Sequence, residues 1–405
     1  MKIANIKGNT IYTWFYILLL AGYIAISCFP YFLSVESRTI TIPFRAIVLM
    51  SSLGIIVYSY YFKINFKFHI ADYFFIFFWI VYLVAIYFSF KNYLFAPEIV
   101  NKKSEIYLRV VGVSFLPSLA ILTCNPKHLN YQFILKNVYI VFFLILLLNV
   151  FVGIEYDYQG RSSGISSTYS ISFGHYGTTL ALLSMYYLAF KNKNSFFETL
   201  VYLGGIVLGL YIIYASATRS PLVSLLIALS YIVYLKTNFK YLVALILCLL
   251  SLVVLVYFLN VEVGTISGNA FFSRLNAMIV SGNSSGRGEI YKQAITVFKN
   301  NPFFGGSFLF KDGLYAHNFI LDILMSMGFF GLLIFIVFFK NSMLFVLNVK
   351  KQLNLNLDSL WINIIFVQFV IFASFSSSLF DMPEFWYLMT MTMILFKNNV
   401  SKKDV

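Results

Sequence analysis

Charged side chains are scarce in this chain. They make up 11% of its 405 residues, against 60% hydrophobic and 20% aromatic. A soluble domain carries roughly 25% charged residues, so a water-soluble globule is excluded. Cysteine is also rare: Cys28, Cys124 and Cys248 lie in apolar runs, without disulfide or metal spacing. That excludes a disulfide framework and reads as packed or lipid-facing thiols. No His/Cys cluster has zinc spacing, no Asp-x-Asp pair could hold a metal–diphosphate, and no Walker-type loop occurs. No metal, cofactor or ATP-driven engine is therefore expected. Tandem repeats and low-complexity segments are missing too. The first apolar run has no small-residue cleavage site after it, so it is expected to stay as a helix.

What the chain does have is apolar runs of about 18 or more residues, the length that crosses a bilayer as a helix. About twelve spans are expected, at 11–32, 46–62, 70–90, 106–124, 138–154, 171–190, 200–217, 221–235, 241–259, 319–339, 360–379 and 385–396. The fold class is thus all-α: a polytopic integral membrane protein with one long extramembrane loop containing short amphipathic helices. The expected organisation is 1–259 for nine spans, 260–315 for the long loop, and 316–405 for three spans and a tail.

The cations sort by type. With the N-terminus inside, the inner segments hold sixteen lysines and no arginine, as the positive-inside rule requires of an anchor. The outer segments hold six lysines and all seven arginines: Arg38, Arg45, Arg109, Arg161, Arg219, Arg274 and Arg287. The net charge of +14 is then mostly topology, and nucleic acid is not expected as a partner. Both termini fall inside and 260–315 outside. Arginine presents a flat fork of donors that matches phosphate oxygens two at a time. Arginines gathered on the outer side therefore point to an anionic, phosphorylated ligand met there.

Four places carry candidate chemistry. Arg219 sits in the turn Ser216-Ala217-Thr218-Arg219-Ser220-Pro221, either as a phosphate ligand or as a snorkelling anchor. Arg287 precedes the helical pattern Ile290, Ala294, Val297, Phe298, where N-terminal amides and a guanidinium make an anion site. The apolar face of that short helix is expected to lie toward lipid or the bundle. Arg161 stands in Gly160-Arg161-Ser162-Ser163-Gly164. His317, in Tyr315-Ala316-His317-Asn318 at the mouth of a span, is the candidate general base. Asp322, about one turn further on, can orient the imidazole or simply mark a helix end. His175 is read as a hydrogen-bonded core histidine.

The order of these motifs resembles the O-antigen polymerase and ligase family of bacterial envelope enzymes. It runs Arg161 to Gly164, Thr218-Arg219-Ser220, Gly286-Arg287, an amphipathic helix, Asn301-Pro302-x-x-Gly305-Gly306, His317-Asn318, and Gly328 with Gly331. The resemblance covers roughly 155–335. Ser326 stands where the family often has an acid, and the nearest acid is Asp322. The resemblance implies a metal-independent glycosyltransferase of the bacterial inner membrane, working on the periplasmic face on an undecaprenyl-diphosphate-linked oligosaccharide donor and acceptor. It implies His317 as catalytic base, Arg219, Arg287 and Arg161 on the diphosphate, and Asn318 and Asp322 in support. Membrane lipids and a chain-length regulator are the further partners it implies. A polymerase is the first expectation, a ligase acting on lipid A–core the second, and a flippase or transporter the alternative of another class. A transporter would carry mid-span charges and broken helices in symmetric halves; here most charges sit at span ends.

The lysine-only inner loops make the topology testable. Reporter fusions after residues 283 and 350 are expected to report outside and inside respectively; the reverse pattern would move the candidate site to the other face.

Overall fold

The computed structural model describes residues 2–62, 68–92, 95–153, 161–165, 169–191, 194–236, 287–352 and 357–400. The expected ninth span, the first part of the long loop (260–286, with Arg274 and Ser284 to Gly286), Gly160 and Cys248 lie outside the described residues. Among the described residues every regular element is helical. The first part comprises α1 (Lys2–Ser27), α2 (Phe29–Leu33), α3 (Ser37–Tyr61), α4 (Ile70–Asn92), α5 (Pro97–Asn101) and α6 (Lys103–Tyr107). A π-helical stretch, Leu108–Phe115, joins α6 to α7 (Leu116–Thr123). Then come α8 (Tyr131–Val152), α9 (Ser170–Phe190), α10 (Phe196–Ser216) and α11 (Arg219–Lys236). After the undescribed stretch follow α12 (Arg287–Asn300), α13 (Phe319–Asn348), α14 (Leu360–Phe375) and α15 (Pro383–Val400).

Eight helices among the described residues are long and apolar enough to cross a membrane. Helices α9, α14 and α15 occupy the positions of the expected sixth, eleventh and twelfth spans. The protein is a multi-pass membrane protein. Among the described residues, its arginines gather in space at one end. Arg38, Arg45 and Arg109 converge on Glu105, and Arg109 reaches Asp381. Arg287 contacts Ser376, a few residues before Asp381 on the same loop. At the other end Lys397 pairs with the buried Asp72, Lys191 with Glu198, and Lys350 donates to the Tyr234 carbonyl. The bundle thus has an arginine end and a lysine end.

Lipid tails are as apolar as leucine, so burial alone cannot drive these helices together; close packing must. Helices α9 and α10 meet through Gly177 and Gly209, where a Cβ added at Gly177 would come 2.7 Å from the Gly209 carbonyl oxygen. Elsewhere aromatic rings fill the core. Trp79 of α4 and Trp386 of α15 lie 4.7 Å apart between ring centres, with Phe75, Phe78, Phe335 and Phe338 around them. Each such ring pair contributes about 0.5–1.5 kcal/mol beyond its area.

Helix α13 is kinked where the sequence reading drew an unbroken span from 319. Gly328 takes φ +63° inside it. The kink frees the Met325 carbonyl, which would otherwise accept from Phe329, and frees the Phe329 and Phe330 amides. The Asn301-to-Gly306 segment meets all of them. Gly306 and Ser307 donate to the Met325 carbonyl at 2.8 and 3.2 Å, while Phe329 and Phe330 donate to Pro302 and Phe303 at 2.8 and 3.1 Å. A kink in a membrane helix survives where other groups satisfy the freed backbone, and here one loop does so. Both glycines of the contact are obligatory. A Cβ on Gly328 would sit 2.5 Å from the Phe303 carbonyl group, and one on Gly305, at φ +75°, would enter the Ser326–Met327 backbone. Residues 329–348 alone are about 30 Å long, enough for the hydrocarbon core.

Gly328→Ala is therefore expected to lower stability by roughly 1–3 kcal/mol or more, since it adds left-handed strain to a backbone clash. Gly204→Ala, whose Cβ would meet nothing within 4 Å, serves as the control and is expected to be neutral or slightly stabilising. Thermal unfolding of the detergent-purified variants reads the difference.

Candidate active site at the arginine end

Five segments meet at the arginine end, and each is positioned by backbone geometry. The loop of Arg161 is pinned by Ser162, whose amide donates to Ala215 at 3.1 Å, and by Ile165, whose amide donates to Asn149 Oδ1 at 2.9 Å. Gly164, at φ +62°, lets this loop lie against Asn149 and Phe173. Arg219 is the first residue of α11, so the helix starts two residues earlier than the span start expected at 221. Its turn is made tight by Ala217 at φ +47° and by Ser216 Oγ bonded to Thr218 Oγ1 at 2.9 Å.

Arg287 opens α12, whose apolar face packs on the bundle: Ala294 is buried with Phe310, Ala316 and Met325. The choice between lipid and bundle is thereby decided for that helix. Burial, opposed by the Tyr291 hydroxyl and reinforced by the nearby Arg161 charge, holds the Arg287 guanidinium below the ordinary arginine range. Arg219 is within electrostatic range of both Arg161 and Arg287. The three arginines expected to face a diphosphate are thus brought together, and their mutual repulsion favours an anion among them.

His317 sits at φ +54°, a left-handed conformation uncommon for a side chain of this size, and stacks on Tyr315 with ring centres 4.3 Å apart. Burial first, and then the charge of Arg287, push its pKa below the usual imidazole value. A hydrogen bond with the Ser376 backbone opposes them by favouring the protonated ring, and so engages the carbonyl. The other nitrogen, Nδ1, is buried and has no hydrogen-bond partner among the described residues. A neutral imidazole that donates from one nitrogen exposes a lone pair on the other. A buried acceptor of this kind is open to a hydroxyl donor.

Asn318 caps α13. Its side-chain oxygen accepts from the amides of Ile320 and Leu321 at 3.0 and 3.1 Å, and its amide donates to the Ser374 carbonyl at 2.9 Å. Asp322 does not touch the imidazole, and the reading of it as an orienting carboxylate is corrected. It is 3% exposed, and its two oxygens accept backbone N–H groups from Ala316 at 3.0 Å and Leu379 at 3.2 Å. It braces the loop that carries His317 instead of the ring. The geometric reason is direction: the carboxylate, one helical turn into α13, faces the buried sides of both loops.

His175 is a packed histidine, as expected. It is 1% exposed, with Nε2 3.2 Å from Ser220 Oγ, Nδ1 3.3 Å from Ser224 Oγ, and its ring centre 4.0 Å from that of Phe372. Sequence reasoning missed Ser376. Its hydroxyl donates to Ser220 Oγ at 2.8 Å and lies 3.5 Å from Arg287 Nη2, and its backbone meets His317. The visible trace was the run Ser374-Phe375-Ser376-Ser377-Ser378 between two apolar helices, a polar stretch longer than a bare connection needs.

The fold and this end of the bundle together define a membrane-embedded enzyme-like centre: clustered guanidiniums beside a half-buried imidazole with one bare nitrogen. Residues 204–336 match the family model described as O-antigen ligase. This match, over about a third of the chain, supports the O-antigen polymerase and ligase family that the motif order led us to expect. The match takes in Arg219, Arg287, His317 and the Gly305–Gly328 contact, and supports an O-antigen polymerase- or ligase-type function in lipopolysaccharide biosynthesis. No curated protein matches the chain.

Asp322→Asn tests the bracing role. It keeps one acceptor oxygen and places an NH2 against a backbone N–H, so one buried amide loses its partner at a cost of about 1–3 kcal/mol. The expected result is lower thermal stability with residual activity per folded molecule. Full stability with no activity would instead return Asp322 to a direct chemical role.

Proposed function

We propose that the protein is an O-antigen or related surface-polysaccharide polymerase. It transfers a growing glycan from undecaprenyl diphosphate to the next lipid-linked repeat unit at the arginine end, facing the periplasm, in an inner membrane with both termini cytoplasmic. The observation that carries this reading is the convergence of Arg161, Arg219 and Arg287 beside His317, joined through Ser376. In the reaction an acceptor sugar hydroxyl attacks the anomeric carbon of the donor. The new glycosidic C–O bond forms as the C–O bond to diphosphate breaks, and undecaprenyl diphosphate departs with the bonding electrons. His317 takes the hydroxyl proton on Nδ1. The three guanidiniums bind the diphosphate and stabilise the charge that grows on it, the task a metal ion performs elsewhere. Asn318 and Asp322 hold the His317 loop to the Ser374–Leu379 loop. A chain-length regulator is the proposed protein partner.

A ligase reading uses the same machinery with lipid A–core as acceptor. The lipopolysaccharide banding of a deletion strain separates the two. Core plus a single repeat identifies a polymerase; core alone, with lipid-linked polymer left over, identifies a ligase; unchanged bands reject both.

The residue roles predict numbers. His317→Ala is expected to lose about 10²–10⁴-fold in turnover at normal protein levels. Arg219→Lys and Arg287→Lys each forfeit a bidentate, charge-assisted contact of about 1.5–3 kcal/mol, roughly 10–100-fold in rate. The base must be neutral, and its pKa lies below the free imidazole value of about 6.5. Activity is therefore present above that lowered pKa and lost as pH falls through it, so the wild-type rate should stay flat down through pH ~6.5. The assay is polymer formed per reconstituted protein, in excess EDTA. An acid limb at or above the free imidazole pKa, or turnover that needs added magnesium, overturns this mechanism.

A further inference from the structure

A second cavity opens at the arginine end, on the far side of the serine–histidine wall. It has a volume of about 290 Å³, and its charged lining is Arg38, Arg45, Arg109, Glu105, Asp381 and Glu384. Its chemistry differs from that of the arginine trio. Here the guanidiniums are paired with carboxylates, Glu105 and Asp381. Arg45 Nη1 and Arg109 Nη2 lie 3.1 and 2.9 Å from Glu105 Oε1, and Arg109 Nη1 lies 2.7 Å from Asp381 Oδ1. Arg45 is buried, while Arg38, 3.8 Å from Glu105, is mostly exposed. These pairs fix the forks and carboxylates in place, so donors and acceptors stand side by side in a set geometry.

A diphosphate does not suit this place. Its oxygens would have to displace Glu105 or Asp381 from their arginines and then lie beside them as like charges. An uncharged polyol does suit it. Each sugar hydroxyl both donates and accepts, so it can bond to a guanidinium N–H and to a carboxylate oxygen at once. The remaining walls supply the apolar contact that a sugar ring also needs: Tyr169, Tyr176, Phe369, Phe372 and Phe380.

We propose that this cavity binds an uncharged sugar residue of the glycan substrate. Its position supports a place beside the transfer site, a placement that rests on the glycan-transfer reading above. His175 and Phe372 line the cavity. His175 Nε2 contacts Ser220 Oγ, Ser220 contacts Ser376, and Ser376 contacts Arg287. One hydrogen-bonded wall therefore separates a neutral sugar pocket from the three guanidiniums. A lipid-linked saccharide that presents its diphosphate to the arginine trio has its sugars within reach of the cavity.

The test uses the full chain, fluorescently labelled in lipid nanodiscs, on a glycan array of neutral, sulfated and phosphorylated saccharides. The expected result is binding to neutral glycans, at least tenfold weaker for Ser172→Trp, which fills the cavity from α9. Thr41→Trp, which fills it from α3, is read in its place if the first variant lowers the unfolding temperature. No glycan bound above background, binding confined to the anionic glycans, or undiminished binding by the well-folded filled variant each overturns the proposal. The polymer assay reads the other reading separately: neutral-glycan binding by a protein with no transfer activity would leave the cavity assignment standing and remove the enzyme.

Discussion

Asp322 accepts one backbone N–H from Ala316 and another from Leu379, and the relative position of two loops at the arginine end depends on that pair of bonds. Ala316 directly precedes His317, and Leu379 lies three residues beyond Ser376, the residue that His317 and Arg287 both address. A carboxylate with no water around it is costly unless it is fully hydrogen-bonded. That makes it a good brace, because letting either loop go would leave a buried carboxyl oxygen without its partner. Asn318 adds a parallel tie, from the cap of α13 to the Ser374 carbonyl. The imidazole is therefore held by its neighbours in the chain and by the Ser376 backbone, while its Nδ1 has no hydrogen-bond partner among the described residues.

The same logic of backbone satisfaction explains the glycines. A kink in α13 at Gly328 turns its first nine residues out of line with the rest of the helix. The polar groups it frees are taken by the loop that follows α12, in a reciprocal set of four bonds. This couples α12 to α13 by main chain instead of side chain. Arg287, at the start of α12, is thereby indexed to His317, at the start of α13, although thirty residues separate them. The hydrophobic contact of Ala294 with Ala316 and Met325 completes that coupling.

The helical class, most span positions and the arginine-end candidates were legible in the sequence, because each leaves a local mark. Hydrophobic length marks a helix, residue type marks the face, and turn chemistry marks the loop. What stayed hidden depends on partners far away in the chain. Glu105 was visible only as an outer acid, yet it gathers three arginines, one of them sixty residues before it. Asp381 was equally plain, and its partner Arg109 lies 272 residues away. Asp322 was misread for a different reason. Its partners are backbone amides, which every residue offers, so no residue type signals them. The kink was missed because Gly328 sits inside an apolar run, where hydropathy is blind to φ. Arg219 was placed in a turn, when the helix begins at it; a shift of two residues there changes whether its side chain leaves the turn or the helix end.

The two polar regions of the arginine end illustrate how one residue type serves opposite purposes. Around Glu105 and Asp381 the guanidiniums are paired with carboxylates, which hold them in place before any ligand arrives. Around His317 three guanidiniums lie within electrostatic range of each other; burial first, and then the Arg161 charge, disfavours the charged form of Arg287. The repulsion among them is relieved when an anion binds, so it adds to the binding of a dianionic group and adds nothing for a neutral one. A lipid-linked saccharide has both parts, a charged diphosphate and a chain of neutral rings. The wall of Ser220, Ser376 and His175 sets the two environments side by side, and on the proposed reading each is matched to one part of such a substrate.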